Sequence, residues 1–191
     1  ASGLSTLTKE GFVKHAIRMA GLVSAMMLVA MLRPAAAQGV SIKTEMLKDW
    51  ADLKTTMAKI ANEMPADKYT AKPTPAQQDF GTRVLHIAQV NNRFLNAVGG
   101  KATAPTLTAT MTAKDAAMKA MADSFDYGTA LLNEQTDQTL LQAAPNAPAF
   151  LGPSTRARIY TFLIGHTWDI YGQLVVYLRL NGGVPPASQR P

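Results

Sequence analysis

Apolar residues recur at alternating steps of three and four along four stretches of the chain. This spacing places them on one face of an α-helix, and the narrow stripe that results is typical of a helix packed in a bundle. No stretch shows the alternation of apolar and polar residues that predicts a β-strand. The pattern therefore predicts an all-α protein, a four-helix bundle with antiparallel helices at residues 41–64, 74–98, 112–132 and 154–180.

Residues with strong capping preferences mark the ends of these predicted helices. Thr74 and Gln77 have the spacing of a capping box at the start of the second helix, with a proline at its first turn. Thr112 and Ser154 are predicted to begin the third and fourth helices. The Asn-Gly-Gly sequence at 181–183, followed by two prolines, predicts the end of the fourth. The connections are long enough for either an up-and-down order or one with a crossover.

The first 37 residues have a different composition from the rest. A basic lead-in ending at Arg18 is followed by an uncharged, mostly apolar run, residues 19–32, and then by Ala35-Ala36-Ala37. This order predicts a secretory signal that is cleaved after Ala37, which leaves a mature domain of residues 38–191 in the periplasm or outside the cell. The alternative is a retained membrane anchor, although the apolar run has only 14 residues and a spanning helix needs about 20.

Composition narrows the classes of partner. The chain of 191 residues has 19 basic and 13 acidic residues, and four of the basic and one of the acidic residues lie in the predicted leader. The mature part therefore carries a net charge of +3 and has no basic run with interleaved aromatic residues, so we expect no nucleic-acid partner. A membrane is expected only as the partner of an uncleaved leader. The absence of cysteine excludes a thiol nucleophile and thiolate metal ligands.

Three histidines are the main candidates for chemistry. His15 lies in the predicted leader, whereas His166 falls in the centre of the apolar stripe of the fourth helix and His86 near the edge of the stripe of the second. Considered alone, a histidine on an apolar face is more often a hydrogen-bonded core residue than a ligand. The sequence has no Gly-x-Ser-x-Gly, P-loop or Gly-x-Gly-x-x-Gly motif. It therefore assigns no catalytic residue.

The most informative stretch is GHTWDIYGQLVVYLRLNGGVPPAS, at the end of the fourth predicted helix. Other motifs precede it along the chain, at residues 68–75, 80–81, 85–88 and 124–127. In order and spacing these segments resemble the DinB/YfiT-like family of four-helix-bundle proteins, over nearly the whole predicted mature chain. The resemblance implies a protein related to metal-dependent hydrolases and thiol transferases. In that family a histidine of the second helix and a His-x-x-x-His pair of the fourth bind the metal.

The resemblance implies that this metal site is incomplete. His86 matches the ligand of the second helix and His166 the first ligand of the fourth, but Ile170 stands where the second histidine would be. An isoleucine has no lone pair, and catalytic zinc sites usually take three protein ligands plus water. Asp169, three residues after His166, is the candidate replacement. We therefore expect a divalent metal, Zn²⁺ or Ni²⁺, that is weakly bound or absent, and a central cavity lined by Ile170 and Gln173.

Two main hypotheses of function follow. The first is an exported DinB-like protein that resembles metal-dependent hydrolases and thiol transferases but has an incomplete histidine site. The alternative is a non-catalytic helical bundle that binds a small molecule or a protein partner in the cavity between its helices. A structural protein tethered by an uncleaved leader is a third hypothesis. Whether the protein is an enzyme stays open at this point, and a homodimer is compatible with such bundles.

Overall fold

The structure, a computed structural model, describes residues 39–189, and these residues form helices and loops without a β-strand. The helices are α1 (Ile42–Glu63), α2 (Phe80–Leu95), α3 (Lys114–Asn133), α4 (Asp137–Leu140) and α5 (Arg156–Leu180). The predicted signal segment, residues 1–37, and its cleavage site lie outside the described residues. None of the described helices is long and apolar enough to cross a membrane.

The first predicted helix is confirmed, and its cap also binds a short helix that the sequence pattern does not predict. The Ser41 side chain accepts a hydrogen bond from the backbone N–H of Thr44 and so caps α1. The Ser41 hydroxyl and the backbone N–H of Lys43 both donate to the carboxylate of Asp137 at 2.8 Å. Asp137 begins α4, whose four residues are too few to show a helical period. These bonds hold the start of α1 against the segment that follows α3.

The predicted start of the second helix at Thr74 is wrong, because α2 begins six residues later. Thr74 and Gln77 form a turn instead, in which the backbone N–H of Gln77 donates to the carbonyl of Thr74 at 3.1 Å. Asp79 is the actual cap, and its carboxylate accepts a backbone N–H of the first turn at 2.7 Å. The backbone N–H of Gly81 donates to the carbonyl of Tyr69 at 2.8 Å. This bond between loop and helix outweighs the local capping signal at Thr74.

The other two helix starts differ from the prediction by a smaller amount. α3 is preceded by Ala113 rather than by Thr112, and no side chain caps it. α5 is capped by Thr155, while the hydroxyl of Ser154 donates to a loop carbonyl. The predicted end of α5 is confirmed, because Gly182 adopts a φ of 78° and the next glycine donates back to a carbonyl of the last turn at 2.9 Å. This arrangement is a Schellman motif, which glycine favours at such a φ.

The four long helices surround one apolar core in the order α1, α3, α2, α5. α1 and α3 are antiparallel. At one end the ammonium of Lys43, in α1, donates to the carbonyl of Asn133 at 2.9 Å. At the other end the ammonium of Lys114, in α3, donates to the carbonyl of Met64 at 3.0 Å. The connections from α1 to α2 and from α3 to α5 therefore cross between opposite corners, which is the crossover alternative left open by the sequence.

The fully antiparallel bundle predicted from the sequence is wrong, because α2 and α3 run parallel. Gly81 near the start of α2 lies against the carbonyl of Thr112 before α3, and the Tyr127 hydroxyl donates to the Asn96 side chain, just after α2, at 2.8 Å. The connection 96–113 returns the chain to the end at which α2 starts. α5 is antiparallel to α2, since Tyr177 near its end donates to the backbone just before α2. α5 therefore runs parallel to α1.

A buried aromatic group joins α1, α3 and α5 at the centre of the core. The Trp50 indole N–H donates to the carbonyl of Phe125 at 2.9 Å, and the Tyr160 hydroxyl donates to that of Gly128 at 2.8 Å. The Trp50 and Tyr160 rings meet edge to face with centroids 5.4 Å apart. Glycine is required at 128, because a Cβ there would lie 2.6 Å from the Trp50 ring. The histidines lie outside this group, along the contact between α2 and α5.

Candidate functional site

The structure brings His86 and His166 together. The two rings have centroids 5.2 Å apart and planes inclined by 52°. They meet because α2 and α5 are antiparallel neighbours, so that the middle of one helix lies opposite the middle of the other. Both side chains are half-buried. The two histidines that the sequence analysis paired therefore share one place in the fold, and their role as metal ligands stays a prediction.

Burial and the nearby Arg83 charge lower the pKa of both histidines. Burial lowers the pKa of His86 from its usual value of 6.5, and protonation of His166 and the charge of Arg83 act in the same direction. Burial also lowers the pKa of His166, where the Asp169 carboxylate acts in the opposite direction and Arg83 in the same direction. These shifts favour the neutral form of both rings at pH 7. A neutral imidazole has one N–H donor and one nitrogen lone pair, which can accept a hydrogen bond or bind a metal.

Residue 170, where the family resemblance implies a third ligand, carries an apolar side chain. Ile170, one turn after His166, is only 2% exposed and belongs to the core. Asp169 is exposed, and its carboxylate accepts a hydrogen bond from the Gln173 amide at 2.9 Å. Among residues 39–189, no group of three or more His, Cys, Asp or Glu side chains is placed to hold a metal ion. The donor set therefore does not fit a three-ligand metal centre.

The roles predicted for the neighbours of the pair stay predictions. Asp169 is near enough to act on the pKa of His166, but the structure does not place it in a three-ligand group with the histidines. Gln173 is half-buried, and its amide is engaged with Asp169. The cavity that Ile170 and Gln173 were predicted to line also stays a prediction. Ile170 itself packs into the core.

Arg83 is a member of this site that the sequence analysis did not single out. It lies three residues before His86 on α2, so the two side chains share a face of the helix. Its side chain is half-buried, and its Nε is fully buried without a hydrogen-bond partner among the described residues. The spacing to His86 is the signal that identifies it. Arginines on helices usually lie on a solvated face, which is why the sequence alone does not draw attention to it.

Aromatic side chains lie on the other side of the histidine pair. The Phe162 ring, one turn before His166, has its centroid 6.3 Å from that of the imidazole. Phe94 lies 4.8 Å from Phe162, and Phe150 lies 5.8 Å from each of these two rings. Phe150 is 67% exposed, which is unusual for so large an apolar side chain. The contact between α2 and α5 thus has a cationic side at Arg83 and an aromatic side at Phe162.

Two surface grooves lie elsewhere. One, of about 460 Å³, lies between α1 and α3 and includes Lys54, Lys59 and Met118. The other, of about 300 Å³, lies under the connection from α2 to α3 and includes Leu107 and Met111. Neither contains a histidine, so neither is part of the site described above.

An all-helical fold with one histidine from α2 facing one from α5 defines a protein of the DinB-like class. A family model described as the DinB family matches residues 31–191, and the chain belongs to that family. Its fold resembles the crystal structure of a DinB-like protein from Bacillus cereus ATCC 10987, with 18% identity, a TM-score of 0.61, and coverage of 74% of this chain and 93% of that one. It also resembles the DinB-like protein YjoA of Bacillus subtilis, with 16% identity, a TM-score of 0.58, and coverage of 76% and 99%. No curated protein matches the chain.

Proposed function

We propose that this protein is a DinB-family member with an incomplete metal site, which binds a small molecule between α2 and α5 at His86 and His166. The observation that carries the proposal is the pair of half-buried imidazoles, 5.2 Å apart by their ring centroids, together with a buried Ile170 where the resemblance implies a third ligand. Half-buried neutral imidazoles can each donate and accept one hydrogen bond. Together with the half-buried Phe162 ring, whose centroid lies 6.3 Å from that of His166, they offer a few polar groups beside an apolar surface, as small-molecule sites generally do.

The donor set argues against a tightly held metal. DinB-family proteins are generally metal-binding, and catalytic zinc sites keep three protein ligands and one open position. Here His86 and His166 supply two ligands, and Ile170 supplies none. We therefore expect Zn²⁺ or Ni²⁺ to bind weakly or not at all. Hydrolase or thiol-transferase activity is the second candidate function; family membership favours it, and it requires a third ligand that the described residues do not bring to the pair.

Metal analysis of the purified full chain tests this proposal. The protein is incubated with an excess of Zn²⁺ or Ni²⁺, dialysed against metal-free buffer, and analysed by mass spectrometry for metal per chain. We expect a content well below one ion per chain, and the same result for His166→Gln. Retention of about one ion per chain, lost in His166→Gln, would show a complete site and would support the enzymatic function instead.

Export is the second element of the proposal, and its support is the sequence of the first 37 residues alone. We expect a bacterial host to release a mature protein that begins at Gln38, in the periplasm or the medium. Mass spectrometry of fractionated cells checks this expectation. Uncleaved protein in the membrane fraction would favour the anchor, and with it a tethered protein.

A further inference from the structure

Among residues 39–189, the half-buried side chain of Arg83 has no carboxylate partner. Its Nε is inaccessible to solvent and makes no hydrogen bond within residues 39–189, and no carboxylate among these residues forms an ion pair with the guanidinium. A buried donor that lacks an acceptor is destabilising, and more so when it is charged. An anionic ligand with two oxygens would balance the charge of Arg83, because the guanidinium matches carboxylate and phosphate geometry.

The position of Arg83 directs this unsatisfied charge toward the histidine pair. It lies one turn before His86 on the same face of α2, and its charge acts on both imidazoles. The carboxylate that also acts on His166 is Asp169, which is exposed and already bonded to Gln173 at 2.9 Å. Arg83 and the two imidazoles are therefore neighbours at the contact between α2 and α5, and the Asp169 carboxylate lies near His166.

An apolar wall continues from the pair in the opposite direction. Because α2 and α5 are antiparallel, Arg83 and Phe162 lie on opposite sides of the histidines along the helix axes. Arg83 precedes His86 by three residues and Phe162 precedes His166 by four, which at 1.5 Å rise per residue separates them by about 10 Å along the bundle. Phe162 packs against Phe94 with tilted rings and meets the exposed Phe150 edge to face. A ligand of that length would contact charge at one end and aromatic rings at the other.

We infer that the site binds a small organic carboxylate with an apolar body, its carboxylate on Arg83 and the two imidazoles and its body against Phe162 and Phe150. This inference rests on the proposed small-molecule function of the His86–His166 pair and names the class of ligand. A free oxyanion such as phosphate would use the same donors, but it would leave the aromatic side unused.

Calorimetric titration of the full chain in EDTA, with 3-phenylpropionate as the probe, tests the inference. The uncharged 3-phenylpropanol and inorganic phosphate are titrated in parallel. We expect the carboxylate to bind about tenfold or more tightly than either, because only it engages both the charged and the aromatic groups. Equal binding of the alcohol, tighter binding of phosphate, or no binding of the carboxylate at millimolar concentration overturns the inference.

Matched variants locate the site. Arg83→Gln should lower the affinity for 3-phenylpropionate by about tenfold or more, and Arg83→Lys should lower it by less. Arg179→Gln, which removes an exposed arginine of α5, should leave the affinity unchanged. Phe150→Ala should weaken 3-phenylpropionate and leave phosphate unchanged; unfolding curves confirm that each variant is folded. If Arg83→Gln binds 3-phenylpropionate as tightly as Arg179→Gln does, the anion site is refuted.

His166→Gln separates the two proposals. If His166→Gln weakens the binding of 3-phenylpropanol while Arg83→Gln does not weaken the binding of the carboxylate, the histidine pair binds ligands and only the ligand class is wrong. Stoichiometric metal without EDTA, together with Arg83-dependent carboxylate binding in EDTA, would contradict the proposed function and leave the anion site standing.

Discussion

Replacing Ile170 by histidine tests whether this single position decides the behaviour of the site toward metals. Ile170 is 2% exposed and lies one turn after His166, whose ring already meets that of His86. An imidazole at 170 would project from the same helix toward the same place as the other two. If the geometry of the pair is retained, the variant has three neutral nitrogen ligands, which is the number that zinc sites with an open position use.

The substitution should first destabilise the protein without metal. Removing a buried isoleucine side chain typically costs about 2–5 kcal/mol, as Ile170→Ala would show, and a buried imidazole adds a desolvation cost. Metal binding then restores stability according to its concentration. Zn²⁺ at about 100 times the dissociation constant stabilises the folded state by about 2.7 kcal/mol. For a protein of this size that corresponds to an increase in Tm of roughly 5–11 °C.

Thermal unfolding with and without Zn²⁺, together with calorimetric titration at neutral pH, measures both effects. Ile170→His should have a lower Tm than the wild type in EDTA, and should regain several degrees in Zn²⁺. The wild type and Ile170→Ala should respond little, and His166→Ala in the Ile170→His background should abolish the gain. If the wild type already binds tightly and Ile170→His adds nothing, then another residue, with Asp169 the first to examine, is the third ligand and the reasoning about an incomplete site is wrong.

Other predictions concern pH and the core. The pKa values of His86 and His166 in the folded state lie below the unfolded value of about 6.5. The unfolded chain therefore binds more protons near this pH. The free energy of unfolding has its full value above about pH 6.5 and decreases as the pH falls below it. Tm should therefore decrease between about pH 7 and pH 5, and less so in a variant with glutamine at both positions; an equal decrease would refute the assignment. Gly128→Ala should destabilise by roughly 1–3 kcal/mol in chemical unfolding, because its Cβ meets the Trp50 ring at 2.6 Å. Gly172→Ala, with open space around its Cβ, should stabilise by roughly 0.5–1 kcal/mol. A Gly128→Ala variant that is as stable as the wild type, or more stable, would contradict the packing of Trp50.

The sequence predicts best those features that depend on neighbouring residues. The stripes of apolar residues identify all four long helices, because each of these helices buries one face along its length. The end of α5 is predicted correctly, since a glycine with positive φ followed by a bond back to the last turn is a local arrangement. The start of α2 is not predicted, because the bond from Gly81 to Tyr69 joins it to a loop more than ten residues away. Helix direction is missed for the same reason: the connection 96–113 has no local signal that shows where it leads.

In the candidate site, too, the sequence predicts the residues but not the contacts between distant parts of the chain. His86 and His166 are ambiguous on their own helices, and only the resemblance to the DinB family pairs them before the fold is known. Their proximity in the structure depends on the antiparallel packing of α2 and α5. Arg83 is missed because an arginine on a helix is ordinarily solvated, and the burial of its Nε appears only when α2 is packed in the bundle.

The buried Ile170 has a consequence for how stability and ligand binding are coupled. A third histidine in its place would stabilise the fold only when a metal is bound, by an amount that depends on the free metal concentration. An isoleucine that is 2% exposed stabilises the fold at every metal concentration, because its contribution comes from apolar burial. The folded state of this chain is therefore expected to be independent of metal supply, which leaves the two imidazoles and Arg83 available to a ligand. The Tm of the wild type should accordingly be unchanged by chelation, and a decrease of several degrees in EDTA would show that a bound metal contributes to the fold.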